Sequence, residues 1–501
     1  MDVRPAASLW AEIWSLATRV SICWPALSTL LNLGSPATAA AAATGVTDAA
    51  CPPGAIAVEP GASIQQAVDG AGDGAVFCLK NGIHRVQVVR PRPGQSFYGE
   101  GRSVLNGSRL LTNFSREGRY WVVSGQLQRG RKHGKCLRAA PACNLPEGVF
   151  IDDKPLHQVL SKDRLKSNGF YFDHANGKIY LADDPRNRKV EATVAAFAFE
   201  SMARDVLIKN VIVEKYASAA QKGAIQASEG TGWTIENCEV RWNSGAGIGI
   251  GTGGRVRDCD IHHNGQIGIA GHGQDISIEK NRIWSNNIYG FAYTWEAGGA
   301  KIALSDGVTF RDNDVRDNDG LGLWCDIDCR NVLYEGNLVE NNQDIGIFHE
   351  ISFNAVIRNN VVRHNGTHRG WFWHTEIAVA ASQDVEVNNN TLTIPAGGCG
   401  IMLIDQGRRT KDGGKYKTRN NTVRDNDSTF EGAACAGGVS DVTVDDGNFA
   451  IITDGNNSFD RNVYRVPRMS GPARFVWGHN VTDWERFRRK GLEQAGQLIF
   501  F

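Results

Sequence analysis

The feature that most constrains this chain is a short repeat. Nine segments align: IKNVIV at 208, IENCEV at 235, VRDCDI at 256, IEKNRI at 278, FRDNDV at 310, YEGNLV at 334, IRNNVV at 357, VNNNTL at 387 and TRNNTV at 418. Their fourth positions are Val211, Cys238, Cys259, Asn281, Asn313, Asn337, Asn360, Asn390 and Asn421, at steps of 27, 21, 22, 32, 24, 23, 30 and 31 residues. A unit of 21–24 residues holds three short strands and three turns. The longer steps carry loops of roughly eight to ten extra residues. Nine residues past the aligned position stand Gly247, Gly268, Gly290, Gly322 and Gly346; Gly370 and Gly400 follow at ten. Helical solenoids need longer units with a 3.6-residue period, whereas these alternate with period two. The Asn column has a structural reading, since Asn tolerates tight-turn backbone and can hydrogen-bond along a stack.

Composition narrows the setting. The 501 residues carry 54 Lys+Arg and 54 Asp+Glu, so the basic footprint of a nucleic-acid binder is missing and no nucleic-acid partner is expected. Arg19, the apolar run Val20–Leu33 and the Ala-rich stretch Ala37–Ala43 fit a leader or signal peptide over 1–43, although Pro25 and Glu12 fit it poorly. The run is too short to span a membrane. The expected location is therefore secreted or periplasmic. Of eleven cysteines, Cys23 would leave with the leader, and the remaining even number suits an oxidising compartment. Cys51 with Cys78, Cys136 with Cys143, and Cys399 with Cys435 are plausible pairs. Cys238 and Cys259 share one column and read as stacked inward thiols, with a coil-to-coil bridge as the alternative. Cys325 and Cys329 flank a turn. No Cys/His cluster has zinc spacing, so no metal site is expected.

Ahead of the repeats, Ala62–Val68 reads as a short amphipathic helix capping an open core, within a cap and first coils over 51–109. Residues 110–200 break the repeat with hairpin-like segments and predict an inserted β module. Repeats run over 201–465, and a tail over 466–501 carries a helix start at Thr482–Glu485. The fold class is all-β: a right-handed parallel β-helix solenoid with an inserted β module and helical end caps. The IQQAV start, the strand–turn coils and the Asn column resemble the right-handed parallel β-helix superfamily of pectate lyases and polygalacturonases over roughly 51–465. That resemblance implies a polysaccharide partner but no particular reaction, because the superfamily holds lyases, hydrolases, epimerases and catalytically silent domains. Neither an intact polygalacturonase motif nor an Asp-Pro-His-Glu run is present, so no catalytic residue transfers by motif.

The site is therefore sought by stacking the strands after the landmark glycines: GFAYTWE (290–296), GLWCDID (322–328), GIFHEIS (346–352), GWFWHTE (370–376) and GIMLIDQ (400–406). With Phe291, Leu323, Ile347, Trp371 and Ile401 inward, alternation faces three rows outward. These are Ala292, Trp324, Phe348, Phe372, Met402; then Thr294, Asp326, Glu350, His374, Ile404; then Glu296, Asp328, Ser352, Glu376, Gln406. An aromatic row beside a carboxylate row suits a sugar ring, with its apolar faces and hydroxyl edges. The alternative is that inserts at 294–305 and 366–376 cover the aromatics as a satellite core. Asp326, Glu350 and Asp328 are the catalytic candidates, with Asp326 central and read as the proton donor. Trp324, Phe348, Trp295, Glu296, Lys301, His374 and Glu376 are the substrate-binding candidates. Lys301 reads first as a salt bridge to Asp326 or Glu350, with a base or a substrate-carboxylate contact as the alternatives. His349 points inward by strict alternation and binds substrate only if the strand has turned. Many acids and one nearby cation favour a glycoside hydrolase, with no cofactor, over a lyase or epimerase, which could use Ca²⁺. A non-catalytic glycan-binding β-helix is the third reading, and a monomer is expected.

Overall fold

The computed structural model describes residues 51–367, 370–442, 450–468 and 474–501. The leader expected over 1–43 lies outside them. Eleven parallel strands stack along one face: Phe199–Glu200, Gly223–Gln226, Ala246–Ile250, Ile267–Gly271, Gly298–Ala303, Leu321–Asp326, Ile347–Glu350, Thr375–Ala380, Cys399–Asp405, Cys435–Ser440 and Arg474–Gly478. The short Asn480–Thr482 closes that sheet antiparallel. The other faces repeat the pattern; Thr234–Glu236, Arg255–Arg257 and Gln274–Glu279 follow one another in parallel register, as do Glu239–Arg241, Asp260–His262 and Arg282–Trp284. This is the right-handed parallel β-helix that the repeat predicts. Its interior is a continuous column of β-branched and aliphatic side chains such as Ile269, Leu323, Ile347, Ile377 and Ile401. Such residues suit a pleated surface buried against its neighbours.

Asparagine ladders hold the coil corners. From Cys259 each backbone N–H donates to the next coil's side chain, through Asn281, Asn313, Asn337, Asn360, Asn390, Asn426 and Asn462. The column thus passes through Asn426, not Asn421. Asn421 belongs to a separate stack with Asn457. A second ladder joins Asn243, Asn264, Asn286, Asn318, Asn342 and Asn365. Each ladder ends on a buried glutamate: Asn462 donates to Glu493 and Asn365 to Glu376.

The helix Ile64–Asp69 buries Ile64 and Val68 over the open core, and Ser63 caps it by accepting from the Gln66 N–H at 3.1 Å. At the other end Asp483 caps the helix Trp484–Arg489 in the same way. Between these, two mainly antiparallel sheets break the coil pattern. One contains Tyr120–Ser124, Gly169–Asp173 and Lys178–Leu181; the other contains Ser108–Leu110, Val149–Ile151 and Val190–Thr193. They share a core of their own around Phe170, Phe172 and Ile179. Cys51–Cys78, Cys136–Cys143 and Cys399–Cys435 are disulfides, while Cys238, Cys259, Cys325 and Cys329 are buried thiols. Disulfides of this number fit an oxidising compartment. Among the described residues no helix is long and apolar enough to cross a membrane.

Candidate active site

The outward alternation holds in the middle coils and fails in the coils on either side. Lys301, Trp324 and Phe348 are register partners on consecutive strands, as are Ala303 and Asp326. Glu350 stands one residue beyond the Cys325–His349 pair and is therefore opposite Asp326, on a strand about 4.8 Å away. The segments expected as neighbouring strands are not strands of this sheet. The coil of Phe291 enters it at Gly298, and Gly299, not Gly290, continues the glycine column. The coil of Trp371 enters at Thr375, after a short 3₁₀ turn. Glu376 sits there in the glycine column, opposite Gly346 and Gly400. Both inserts precede their strands, so counting from the wrong glycine displaced Thr294, Glu296, His374 and Glu376 from their assumed rows.

Asp326 Oδ2 lies 2.9 Å from Lys301 Nζ, which also lies 3.4 Å from Glu296 Oε2 and 3.8 Å above the Trp324 ring centre. Burial alone would push the Lys301 ammonium down, but Glu296 and Asp326 outweigh it and hold its pKa above the usual value. Glu296 is fixed in turn by Gln221, whose Nε2 donates at 2.8 Å. The other oxygen of Asp326, Oδ1, is buried and has no hydrogen-bond partner, and neither has Trp324 Nε1. Glu350 Oε1 accepts from Arg408 Nη1 at 3.0 Å and Gln406 Nε2 at 3.2 Å. Burial, and then the charge of Asp326, still raise the Glu350 pKa against those two donors. Two facing carboxyls thus stand in unlike surroundings: one in an ion pair with a vacant oxygen, the other favouring its proton.

Several expectations need correction. Asp328 does not extend the Asp326 strand, because Ile327 and Asp328 adopt left-handed backbone, with φ of 51° and 59°. Its Oδ1 accepts from the Tyr416 hydroxyl at 2.8 Å. The aromatic row is not exposed: Trp324 and Phe348 retain 5% and 3% of their surface. They stack on each other with ring centres 5.7 Å apart, and Tyr293, Phe372 and Trp373 from the inserts pack over the same cluster. The aromatics are covered, as in the satellite-core alternative, but the acids beside them are buried and not solvated as that alternative had them, Asp326 and Glu350 keeping 6% and 7% of their surface. Glu376 is fully buried as the ladder terminus, with a pKa pushed up to about 8 by burial, and cannot touch a substrate. His349 is also fully buried, 3.4 Å from the Tyr334 hydroxyl, with its pKa pushed down by burial to about 3. Trp295 stacks on Phe291 and meets His133 edge-on, against the inserted module and not in the aromatic row. His374 is half-buried in the insert, with Nε2 buried and unbonded. The structure therefore gathers Glu296, Lys301, Trp324, Asp326 and Glu350, with Phe348 beneath.

Sequence reasoning missed Gln221, Arg408 and Tyr416, and passed over Gln406. Three of these come from one insertion, 406–418, whose run of basic residues after the Gln406 row was the available signal. A separate pocket of about 480 Å³ lies between the loop around Cys143, the hairpin around Leu156 and Asn287–Gly290. Its walls are mainly apolar, with Glu147 and Asp319 among them, and it lies apart from the carboxylate slot of Asp326 and Glu350, whose opposed carboxyls are the better candidate for bond chemistry.

A family model described as "Right handed beta helix region" matches residues 223–392. No curated protein matches the sequence. Among solved structures, the chain is similar to XylC, in a structure described as its complex with xylose, at 17% identity and a TM-score of 0.62, covering 88% of this chain and 83% of that one. It is also similar to the A-module of the Azotobacter vinelandii mannuronan C-5 epimerase AlgE6, at 13% identity and a TM-score of 0.47, covering 87% and 94%. A third is the catalytic unit of a GH87 α-1,3-glucanase from Streptomyces thermodiastaticus strain HF3-3, at 10% identity and a TM-score of 0.40, covering 90% and 68%. At 17% identity the likeness to XylC is one of fold.

Proposed function

We propose that this right-handed parallel β-helix protein is a carbohydrate-active enzyme, a glycoside hydrolase that retains anomeric configuration. The observation that carries the reading is the unlike carboxyl pair on adjacent strands. Asp326, paired with Lys301 and with Oδ1 unpartnered, is the nucleophile. It forms a bond to the anomeric carbon as the glycosidic C–O bond breaks. Glu350, biased toward its acid form, gives its proton to the departing oxygen. Water then attacks the glycosyl–Asp326 ester, Glu350 takes the proton back, and the free sugar leaves. These roles reverse the assignment of Asp326 as proton donor, because Asp326 is held by Lys301 while the raised pKa belongs to Glu350. The spacing of adjacent strands suits a retaining pair, whereas Asp328 has turned away to Tyr416.

A lyase or epimerase would need a cation facing a uronate carboxylate. Lys301 is already committed to two carboxylates, which favours hydrolysis. The test is a panel of aryl glycosides and oligosaccharides, beginning with xylosides because xylose is the sugar named in the XylC complex. Proton NMR of the first-formed anomer should show retention, and azide should rescue Asp326→Gly by forming a glycosyl azide. Inverted product, an ultraviolet-absorbing unsaturated product, or glycan binding without cleavage would each overturn the proposal.

A further inference from the structure

The insertion between Asp405 and Thr418 does more than cover the slot. It is a small β-arm: the Tyr416 N–H donates to the Arg408 carbonyl at 3.0 Å, Arg409 and Lys415 pair antiparallel, and Gly413 turns the tip at a φ of 79°. Its root is tied to the two carboxylate coils, through Arg408 to Glu350 and Tyr416 to Asp328. The Tyr416 ring also lies 6.1 Å from Phe353. The arm therefore stands at the rim of the slot.

Its charge is opposite to that of the slot. Arg408, Arg409, Lys411, Lys415 and Lys417 stand against the single Asp412. Arg408, Arg409, Lys411 and Lys417 are exposed, and Lys411 and Lys417 form no ion pair among the described residues. In the site itself, Glu296, Asp326 and Glu350 outnumber Lys301. The slot disfavours an anionic sugar, while the arm beside it attracts one. A chain with balanced charge overall has gathered excess cations within a dozen residues at one place.

We infer that the 406–417 arm binds carboxylate groups of an anionic glycan, so that a neutral sugar enters the slot while uronate-bearing neighbours lie along Lys411 and Lys417. The bond cut in such a glycan rests on the proposed hydrolase reading; the binding by the arm does not. Affinity electrophoresis of Asp326→Asn, which leaves the polymer undigested, reads the binding alone. Gels are cast with glucuronoxylan or with the same polymer after carboxyl reduction. Retardation should be greater in the native polymer, and high salt should remove the difference. Lys411→Gln/Lys417→Gln should lower affinity for the native polymer about three- to tenfold, as expected for two exposed charge contacts, and leave the reduced polymer unaffected. Equal retardation in both gels, or none in either, would overturn the inference, as would equally strong retention by single-stranded DNA. Failure of the hydrolase reading would appear separately, as absent cleavage of aryl glycosides by the unaltered protein.

Discussion

Two lysines of this molecule sit among carboxylates in nearly the same way, and only one marks a candidate site. Lys215, fully buried, lies 2.5 Å from both Asp153 and Glu191 and 3.8 Å from Glu214. Arg85 closes the other side of Glu191 at 2.7 Å, and Asn106 donates to Glu214 at 2.8 Å. The cluster ties the strand Leu207–Glu214 of the solenoid to two strands of the inserted module, and none of its oxygens is left unbonded. Lys301 has fewer partners and lies beside an Asp326 oxygen with none. A buried lysine with acids is therefore no signature of catalysis. What sets Lys301 apart is the unbonded Asp326 oxygen beside it, which makes this cluster the candidate, because leaving such a position open costs stability unless something else occupies it.

The comparison is sharpest under substitution. Asp326→Asn should lower turnover about ten-thousand-fold, a barrier increase of about 5.5 kcal/mol. Its melting temperature should stay within about 2 °C of the parent. If activity persists, the contrast between the two lysines fails. Lys215→Met should do the opposite: urea unfolding should show a loss of about 3–5 kcal/mol, since it strands buried carboxylates. Turnover per folded molecule should stay near the parent value.

Glu376 supplies a third case, a buried acid paired with amides and no cation. Its folded-state pKa of about 8 lies above the ordinary carboxylate value, so the folded protein holds a proton there that the unfolded chain releases. The stability this confers is present below about pH 4.5 and is lost as pH rises toward 8, at up to about 1.4 kcal/mol per pH unit. Glu376→Gln should remove that slope from urea titrations run across the same window. The smallest effect belongs to Arg408→Gln. Arg408 opposes the raised pKa of Glu350, so its loss should keep the acid protonated to higher pH. The alkaline limb of kcat/KM should move up by about half a unit, a modest shift because the guanidinium is half-exposed.

The fold was legible because its information is periodic. Landmark glycines and the asparagine column recur at coil length, and the adjacency of Asp326 and Glu350 followed because no insert separates their glycines from their strands. Where inserts come first, the count breaks. Gly290 is a turn residue ahead of the Gly298–Ala303 strand, and the column position at 376 is not a glycine at all. Asp328 escaped because a left-handed turn leaves no mark at an aspartate, and the aromatic row looked exposed because its cover comes from other coils. The arm residues Arg408 and Tyr416 reach the site by tertiary folding alone, which no repeat encodes.

The glutamates at the ends of the asparagine ladders have a consequence for how such a molecule can lengthen. Along each ladder an amide accepts from one neighbour and donates to the next, so interior coils are interchangeable links and one more can be spliced among them. A glutamate side chain accepts from its asparagine but has no amide NH2 to bond both the next side chain and a strand carbonyl, as each interior asparagine does. Glu376 and Glu493 thus act as full stops. Coil duplication upstream of Glu376 keeps both ladders; between Glu376 and Glu493 a new coil still finds the ladder of Asn390, Asn426 and Asn462, whereas one added beyond Glu493 would find neither.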